Sequence, residues 1–329
     1  MSQVTETARA DAATEARAAL AAEVRQYLLE KPRQLPSRGL YDPLGSALFD
    51  AICLLPWYPV TRAERGLFAA HGAEILRLAG APPVVIELGP GNGEKLERLL
   101  RAGVLPATGT RQVHLVDVSA LALENAGNRL GELPGIAVVT HQRTYEAGLV
   151  EASRARGRGE HALVLFLGSN IGNFDPGGAA RFLRDARAAL APGDHLLIGA
   201  DLVKSERELQ LAYDDPLGVT AAFNKNLLVH LNRELGADFD IGRFAHKAVW
   251  NREASRVEMH LVSQVSQRVA IPAAGIVFDL DPGETIWTES SYKYEVGAFE
   301  GALRAAGFEP ANRWVADPGR FMLVMARAA

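Results

Sequence analysis

Cysteine and long apolar runs are scarce in this chain of 329 residues. Cys53 is its only cysteine, which excludes an intramolecular disulfide. No apolar run approaches the ~18 residues that cross a bilayer. Charged residues interrupt the Ala-rich start, where a signal peptide would have a continuous apolar segment. These features predict a cytoplasmic protein with no membrane partner.

The chain also lacks a surplus of charge of either sign. It has 35 basic and 39 acidic residues, and no basic stripe indicates a nucleic-acid partner. Its eight histidines are scattered without metal-ligand spacing, so no metal is expected. Hydrophobic residues make up 48%, which is enough to build a globular core. Without coiled-coil heptads, the chain is expected to be a monomer.

Apolar runs alternate with amphipathic helices between residues 83 and 204. Alternation of this kind predicts a parallel sheet covered on both faces, a doubly wound α/β fold that binds its ligand at the carboxyl ends of the strands. The strand-like runs are VVIELG, RQVHLVDV, HALVLFLG and HLLIGADLV.

The alternation stops after Lys204. Largely helical sequence follows, then an antiparallel pair with a turn near Arg252 and a further strand. The ending predicts a helix and an antiparallel hairpin at one sheet edge. Upstream, helices are predicted over 14–31, 46–55 and 62–78, with an irregular segment over 32–45. The predicted organisation is an N-terminal segment (1–61) joined to an inserted α+β domain (205–292), and a core domain made of 62–204 and 293–329.

A glycine-rich loop, ELGPGNG, lies between the first apolar strand and a helix. The dinucleotide fingerprint would need a glycine where Glu94 stands, and Glu87 would repel a pyrophosphate. S-adenosylmethionine (SAM) carries positive charge, which suits an acidic loop. Asp117, at the end of the next strand, can accept the ribose hydroxyl protons. SAM is therefore favoured, while an NAD-type ligand, a nucleotide sugar or no ligand remain alternatives.

Four segments are considered together: YDPLGSALFDAICLLPWYPVTRAE, ELGPGNGEK, FLGSNIGNFDP and DLVKSERELQLAYDDPLGVTAAFNKN. As a set they resemble one family, the L-histidine Nα-methyltransferases of ergothioneine biosynthesis. Two shorter matches, VEMHL and TESSYKY, extend the resemblance, which runs from about residue 35 to the C-terminus.

The resemblance implies a class I methyltransferase-like domain that binds SAM and a family-specific substrate domain. It implies trimethylation of the α-amino group of L-histidine to hercynine, the first step of ergothioneine-type biosynthesis. The pair Thr144 and Tyr145 stands where the family has Asp-Phe; Tyr145 can stack on adenine, but Thr144 lacks the carboxylate. The cofactor residues implied are Gly89, Gly91, Lys95, Asp117, Thr144 and Tyr145.

The resemblance also implies a set of residues that bind the amino-acid substrate. Asn173 and Tyr213 would hold its carboxylate, and Tyr41 would lie near the reacting amine. The imidazole would be contacted by Tyr58 and paired with Glu289 and Ser291. Ser290, between them, would use its backbone, and Met259 would form a wall of the pocket.

Spacing alone leaves simpler interpretations open. Glu289 and Ser291 share one face of the predicted strand, which also suits exposed side chains on an edge strand. Asn173 could be a turn residue, and Tyr213 a helix-end aromatic that packs inward. An N-methyltransferase for another amino acid or aromatic amine, a non-catalytic SAM-binding protein and an NAD-dependent oxidoreductase are the alternative functions.

Overall fold

The computed structural model describes residues 2–103, 110–154, 156–157 and 160–329, with side chains from residue 14 onward. Its α-helices are α1 (Ser2–Leu29), α2 (Pro43–Ile52), α3 (Pro59–Leu78), α4 (Glu94–Ala102), α5 (Ala120–Gly131), α6 (Tyr145–Ser153), α7 (Pro176–Ala189), α8 (Glu206–Tyr213), α9 (Val219–Leu235) and α10 (Val296–Ala305). Its strands are β1 (Val84–Leu88), β2 (Arg111–Asp117), β3 (Ile136–Gln142), β4 (Ala162–Phe166), β5 (His195–Asp201), β6 (Phe244–Asn251), β7 (Arg256–Ser263), β8 (Gln267–Ile271), β9 (Ile276–Leu280), β10 (Thr285–Tyr292), β11 (Phe308–Ala316) and β12 (Phe321–Ala328).

The chain folds into two compact units, each made of two separate segments. The sheet unit comprises residues 59–204 and 291–329, and the insert unit comprises residues 1–58 and 205–290. Within the described part of the chain, no helix is long and apolar enough to cross a membrane.

The sheet unit contains a seven-stranded sheet in the order β11-β12-β5-β4-β1-β2-β3. Strands β1 to β5 are parallel, and β12 joins β5 in an antiparallel pair that β11 extends. All five residues of β1 and of β4 are buried, because these central strands are covered on both faces. The predicted doubly wound fold is confirmed, as is the antiparallel hairpin at its edge.

Strand β3 was not among the predicted apolar runs. It forms an edge of the sheet, where β2 is its one partner among the described strands, and most of its side chains are exposed or half-buried. An edge strand needs less apolar sequence than a central one, so β3 carries a weaker signal than its neighbours.

Helix ends in the sheet unit follow local capping chemistry. Ser119 caps α5, as predicted, by accepting a hydrogen bond from the Ala122 amide at 3.2 Å. Helix α3 begins at Pro59, three residues before the predicted start, because proline fits the first helical turn.

The insert unit has an α+β composition. Its three-stranded sheet has the order β10-β7-β6, and β6 and β7 form the predicted antiparallel pair around Arg252. A second hairpin, β8 with β9, was not predicted. Helix α2 begins at Pro43, inside the segment predicted to be irregular. Asp42 caps it by accepting a hydrogen bond from the Gly45 amide at 2.7 Å.

Candidate functional site

The glycine loop after β1 has a backbone that other residues would not readily adopt. Gly89, Gly91 and Gly93 all have positive φ, between 56° and 77°. A Cβ atom on Gly89 would lie 3.0 Å from both Asn170 Nδ2 and Tyr145 Oη, whereas one on Gly91 would meet open space. Side chains therefore pack against the loop at Gly89, whereas the space beside Gly91 is open and leaves room for a ligand.

A buried carboxylate lies directly before this loop. Burial raises the pKa of Glu87 to about 8, the Lys95 charge lowers it, and the charges of Glu64 and Asp117 raise it further. Its Oε2 atom has no hydrogen-bond partner among the described residues. With this pKa the Glu87 side chain is mostly a neutral acid near pH 7, and a cationic ligand beside it would favour the ionised carboxylate.

Glu64 was not predicted as a site residue, although it ends one of the four family-like segments. Its Oε2 atom pairs with Lys95 Nζ at 2.7 Å, and its Oε1 atom accepts a hydrogen bond from the Gly168 amide at 2.9 Å. Glu64 thus ties the first turn of α4 to the loop after β4. Its side chain is fully buried, on the face of α3 that points into the sheet unit.

Asp117 and Tyr145 lie next to the same loop. Burial raises the pKa of Asp117, against a hydrogen bond that its Oδ1 atom accepts from the Ser119 amide at 2.8 Å. The pKa of Tyr145 is raised by burial and then by the Asp117 charge. Its ring packs edge-on against Phe166 at 5.3 Å. Thr144, by contrast, caps α6 with an exposed side chain that makes no capping hydrogen bond.

The loop after β4 also reaches the glycine loop. Asn170, which was not predicted, brings its amide beside Gly89. Asn170 begins a 3₁₀ turn that ends at Asn173, whose side chain is exposed. In the sheet unit the structure therefore brings together the cofactor candidates Gly89, Lys95, Asp117 and Tyr145, with Glu87, Glu64 and Asn170 as additions.

These residues fit SAM. The unpartnered Glu87 oxygen suits a positive charge, and the open backbone at Gly91 leaves room for a ligand. Asp117, at the carboxyl end of β2, is in the position where a doubly wound sheet holds ribose hydroxyls. No group of three or more His, Cys, Asp or Glu in the described ranges could hold a metal ion.

In the insert unit an aromatic cluster gathers three of the predicted substrate residues. The Tyr58 and Tyr213 rings lie edge to face at 6.3 Å, and Phe49 lies 6.3 Å from Tyr58 and 5.6 Å from Tyr41. Tyr41 Oη donates a hydrogen bond of 3.4 Å to Glu289 Oε1. Three tyrosines and the Glu289 carboxylate thus belong to one cluster, in which polar groups lie among aromatic rings.

Strand β10 carries Glu289, Ser290 and Ser291. Glu289 is 8% exposed and Ser291 7%, while Ser290 between them is half-buried. The interpretation of Glu289 and Ser291 as exposed edge-strand side chains is therefore wrong. The neighbouring Thr288 places Oγ1 2.9 Å from the carbonyl oxygen of Met259, itself buried on β7.

Comparison with known proteins identifies the family. The sequence model of the histidine-specific, SAM-dependent methyltransferases matches residues 20–328. The chain belongs to this family. The resemblance stated from the motifs is confirmed, and with it the SAM cofactor and a methyltransferase activity.

Three relatives show the extent of the similarity. The histidine N-alpha-methyltransferase of Mycolicibacterium smegmatis is 41% identical over 316 residues, 96% of this chain and 97% of that protein. The protein of the same name from Mycobacterium tuberculosis is 41% identical over 310 residues, 94% of each chain. Ergothioneine biosynthesis protein 1 of Neurospora crassa is 30% identical over 290 residues, 86% of this chain and 32% of that protein.

Proposed function

We propose that this methyltransferase transfers three methyl groups to the α-amino group of L-histidine and forms hercynine, the first step of ergothioneine-type biosynthesis. The observation that carries the proposal is the 41% identity with a histidine N-alpha-methyltransferase over nearly the full length of both chains. Glu289 supplies a physical reason. A buried carboxylate favours a ring that offers an N–H over an apolar ring, which offers it no hydrogen bond.

The chemistry requires alignment more than acid or base strength. Bound SAM would supply a methyl group on a positively charged sulfur: as the amine nitrogen forms the new C–N bond, the C–S bond breaks and S-adenosylhomocysteine leaves. The amine must first lose its proton, because an ammonium has no lone pair to attack with. The protein contributes mainly by holding the amine in line with the methyl group and by excluding competing orientations.

In the sheet unit, the loop backbone at Gly89 and Gly91 would hold the cofactor, and Asp117 would accept hydrogen bonds from its ribose hydroxyls. Lys95, which pairs with Glu64, would bind the cofactor carboxylate. Tyr145 would pack beside the adenine. Thr144, whose side chain is exposed, contributes backbone only.

The substrate residues have separate tasks. Asn173 and Tyr213 donate hydrogen bonds to the histidine carboxylate, and Tyr41 lies near the amine. Tyr58, Met259, Glu289 and the backbone of Ser290 enclose the imidazole, and Ser291 pairs with one of its nitrogens.

The experiment is an incubation with SAM and a panel of free amino acids, with S-adenosylhomocysteine release and product mass as the readouts. Histidine is expected to be the preferred substrate and to gain three methyl groups. Histidinamide is expected to be a poor substrate, because it lacks the carboxylate that Asn173 holds. Preferred turnover of another amino acid or an aromatic amine would contradict the proposal and support the alternative within the same class.

We also propose a cytoplasmic monomer, on the grounds of the single cysteine and the mixed charge. Light scattering on the purified enzyme tests the oligomeric state.

A further inference from the structure

A buried cluster of charges adjoins Ser291 inside the sheet unit. Lys293 Nζ lies 3.1 Å from Asp201 Oδ2 and donates a hydrogen bond of 2.8 Å to Ser291 Oγ. Lys204 Nζ lies 2.6 Å from the other oxygen, Asp201 Oδ1, and also donates to the carbonyl oxygen of Gly319 at 2.8 Å. The cluster therefore has two ammonium groups on one carboxylate. The three charged side chains are at most 2% exposed.

The backbone fixes the position of Lys293. The Tyr294 amide donates to the carbonyl oxygen of Asp201 at 3.0 Å, and the Val203 amide donates to the carbonyl oxygen of Tyr294 at 3.1 Å. The segment after β10 is thus hydrogen-bonded to the end of β5, the strand that carries Asp201. The ion pair and the backbone bonds hold Lys293 in one place, so its contact with Ser291 is built into the sheet unit.

The chemistry of the two groups sets the direction of that hydrogen bond. An ammonium group only donates, so Ser291 Oγ is the acceptor. The hydroxyl hydrogen of Ser291 consequently points away from Lys293. The oxygen of Ser291 has two lone pairs, and the ammonium group of Lys293 occupies one of them. The positive charge of that ammonium disfavours a second N–H donor beside it, so the hydroxyl is favoured as a donor to the ring.

We propose that Lys293, held by Asp201, is a positioning residue that makes Ser291 a hydrogen-bond donor to the substrate ring. Ser291 then selects the ring nitrogen that carries no hydrogen, and the ring N–H is left for a carboxylate. Lys293 thereby contributes to the choice of an imidazole over rings that offer no acceptor nitrogen. This inference rests on the proposed function, in which Ser291 pairs with the imidazole.

The test is the Lys293→Met variant, which has a similar length and no charge. It leaves Asp201 paired one-to-one with Lys204, so the variant keeps a balanced buried pair and is expected to fold. The KM for histidine is expected to rise about tenfold, the effect of losing one hydrogen bond to an oriented partner. The KM for SAM is expected to stay unchanged.

Lys204→Met is the matched control. Lys204 is equally buried on the same carboxylate, but its second contact is the Gly319 carbonyl. Its replacement is expected to leave the KM for histidine within about twofold of the wild type. Equal increases in the two variants would overturn the inference, because they would indicate a general effect of disturbing the cluster.

A double-mutant cycle separates positioning from general damage. In a Ser291→Ala background, Lys293→Met is expected to cause no further increase in the KM for histidine, because its effect passes through the hydroxyl. An equal increase in both backgrounds would overturn the inference. Lys293→Leu, which also removes the donor to Ser291, is the second variant should Lys293→Met fail to fold, and a wild-type KM for it would also overturn the inference.

The proposed function and this inference fail in different measurements. If the proposed function is wrong, the wild-type enzyme does not methylate histidine. If only the inference is wrong, the wild-type enzyme is active and the variants do not show the expected KM values.

Discussion

Glu289 is a buried carboxylate that accepts a hydrogen bond from Tyr41 at 3.4 Å. In the proposed function this carboxylate accepts a hydrogen bond from the imidazole N–H of the substrate. We expect Glu289→Ala to raise the KM for histidine at least tenfold and to leave the KM for SAM unchanged. Steady-state kinetics with each substrate varied in turn gives both values.

Glu284→Ala is the control for Glu289. Glu284 lies directly before the same strand, β10, but pairs with Lys31 and Arg33 near the surface. Its replacement is expected to leave both KM values unchanged. Parallel increases in the two KM values for Glu289→Ala would remove Glu289 from the substrate residues.

Glu87 links pH to stability. Burial raises its pKa to about 8 in the folded protein, above its ordinary value of 4.5. The folded state therefore binds the proton more tightly than the unfolded state. The stability that this proton contributes is fully present below pH 4.5 and is lost as pH rises to 8, with a slope of up to about 1.4 kcal/mol per pH unit.

The measurement is urea unfolding of the wild type and of Glu87→Gln at several pH values between 5 and 8. Because a glutamine does not titrate, we expect the variant to lose less stability than the wild type over this range. Glu97→Gln is the control, because hydrogen bonds from Arg129 and Arg101 lower the pKa of Glu97 and place its effect at acid pH. Identical pH dependence in the wild type and Glu87→Gln would contradict the argument.

At this scale, sequence reasoning identified residues that stand at predictable points of the fold. Asp117 ends a strand, and Gly89 begins a turn between a strand and a helix, so both could be assigned from local pattern. Glu64, Asp201 and Lys293 could not. Each acts through a partner distant in sequence, and neither their burial nor their pairing leaves a local pattern.

Among the strands, those that are buried on both faces had the clearest apolar pattern in the sequence. Strands β1 and β4 are buried on both faces and were recognised as continuous apolar runs. The β8 and β9 hairpin alternates exposed and buried side chains over only five residues per strand. Such short alternation resembles ordinary surface sequence, so the hairpin was not separated from the β6 and β7 pair before it.

Helix α6 shows how closely an element can be packed beside the site. A Cβ atom on Gly148 would lie 2.2 Å from Val116 Cγ1, on the strand that ends at Asp117. Gly148→Ala would force α6 away from β2. We expect it to lower the free energy of unfolding by about 1–3 kcal/mol and to weaken SAM binding through Asp117 and Tyr145.

Gly131→Ala is the control for Gly148→Ala. Thermal unfolding measures the stability of both variants, and calorimetric titration measures their binding of SAM. Gly131 ends α5, and a Cβ atom there would meet nothing within 4 Å. This substitution is expected to be neutral or to stabilise the protein by up to about 1 kcal/mol. Similar behaviour of the two variants would show that α6 tolerates displacement.

On the scale of the whole molecule, the chain passes three times between its two units, after residues 58, 204 and 290. The loss of strand–helix alternation after Lys204 predicted an insertion. It did not predict which contacts join the N-terminal segment to that insertion, since these are single polar side chains rather than patterns. Asp42 is the clearest of them.

Asp42 joins the two segments of the insert unit. Besides capping α2, its carboxylate accepts hydrogen bonds from Asn226 at 2.7 Å and from Arg233 at 3.0 Å, both on α9. Burial alone would raise its pKa, but the hydrogen bonds from Gly45, Asn226 and Arg233 hold it below the ordinary 3.8. The resulting stability is present above pH 3.8 and is lost as pH falls through the lower, folded-state pKa.

Replacing Asp42 therefore removes a cap and separates the segments. We expect Asp42→Ala to lower the free energy of unfolding by about 2–4 kcal/mol, measured by urea denaturation at pH 7. Asp240→Ala is the matched control, because Asp240 also accepts a nearby amide hydrogen bond and pairs with an arginine, but within one exposed turn. If the two substitutions cost the same, Asp42 acts only as a local cap, and the apolar packing of α2 against α9 must hold the segments together.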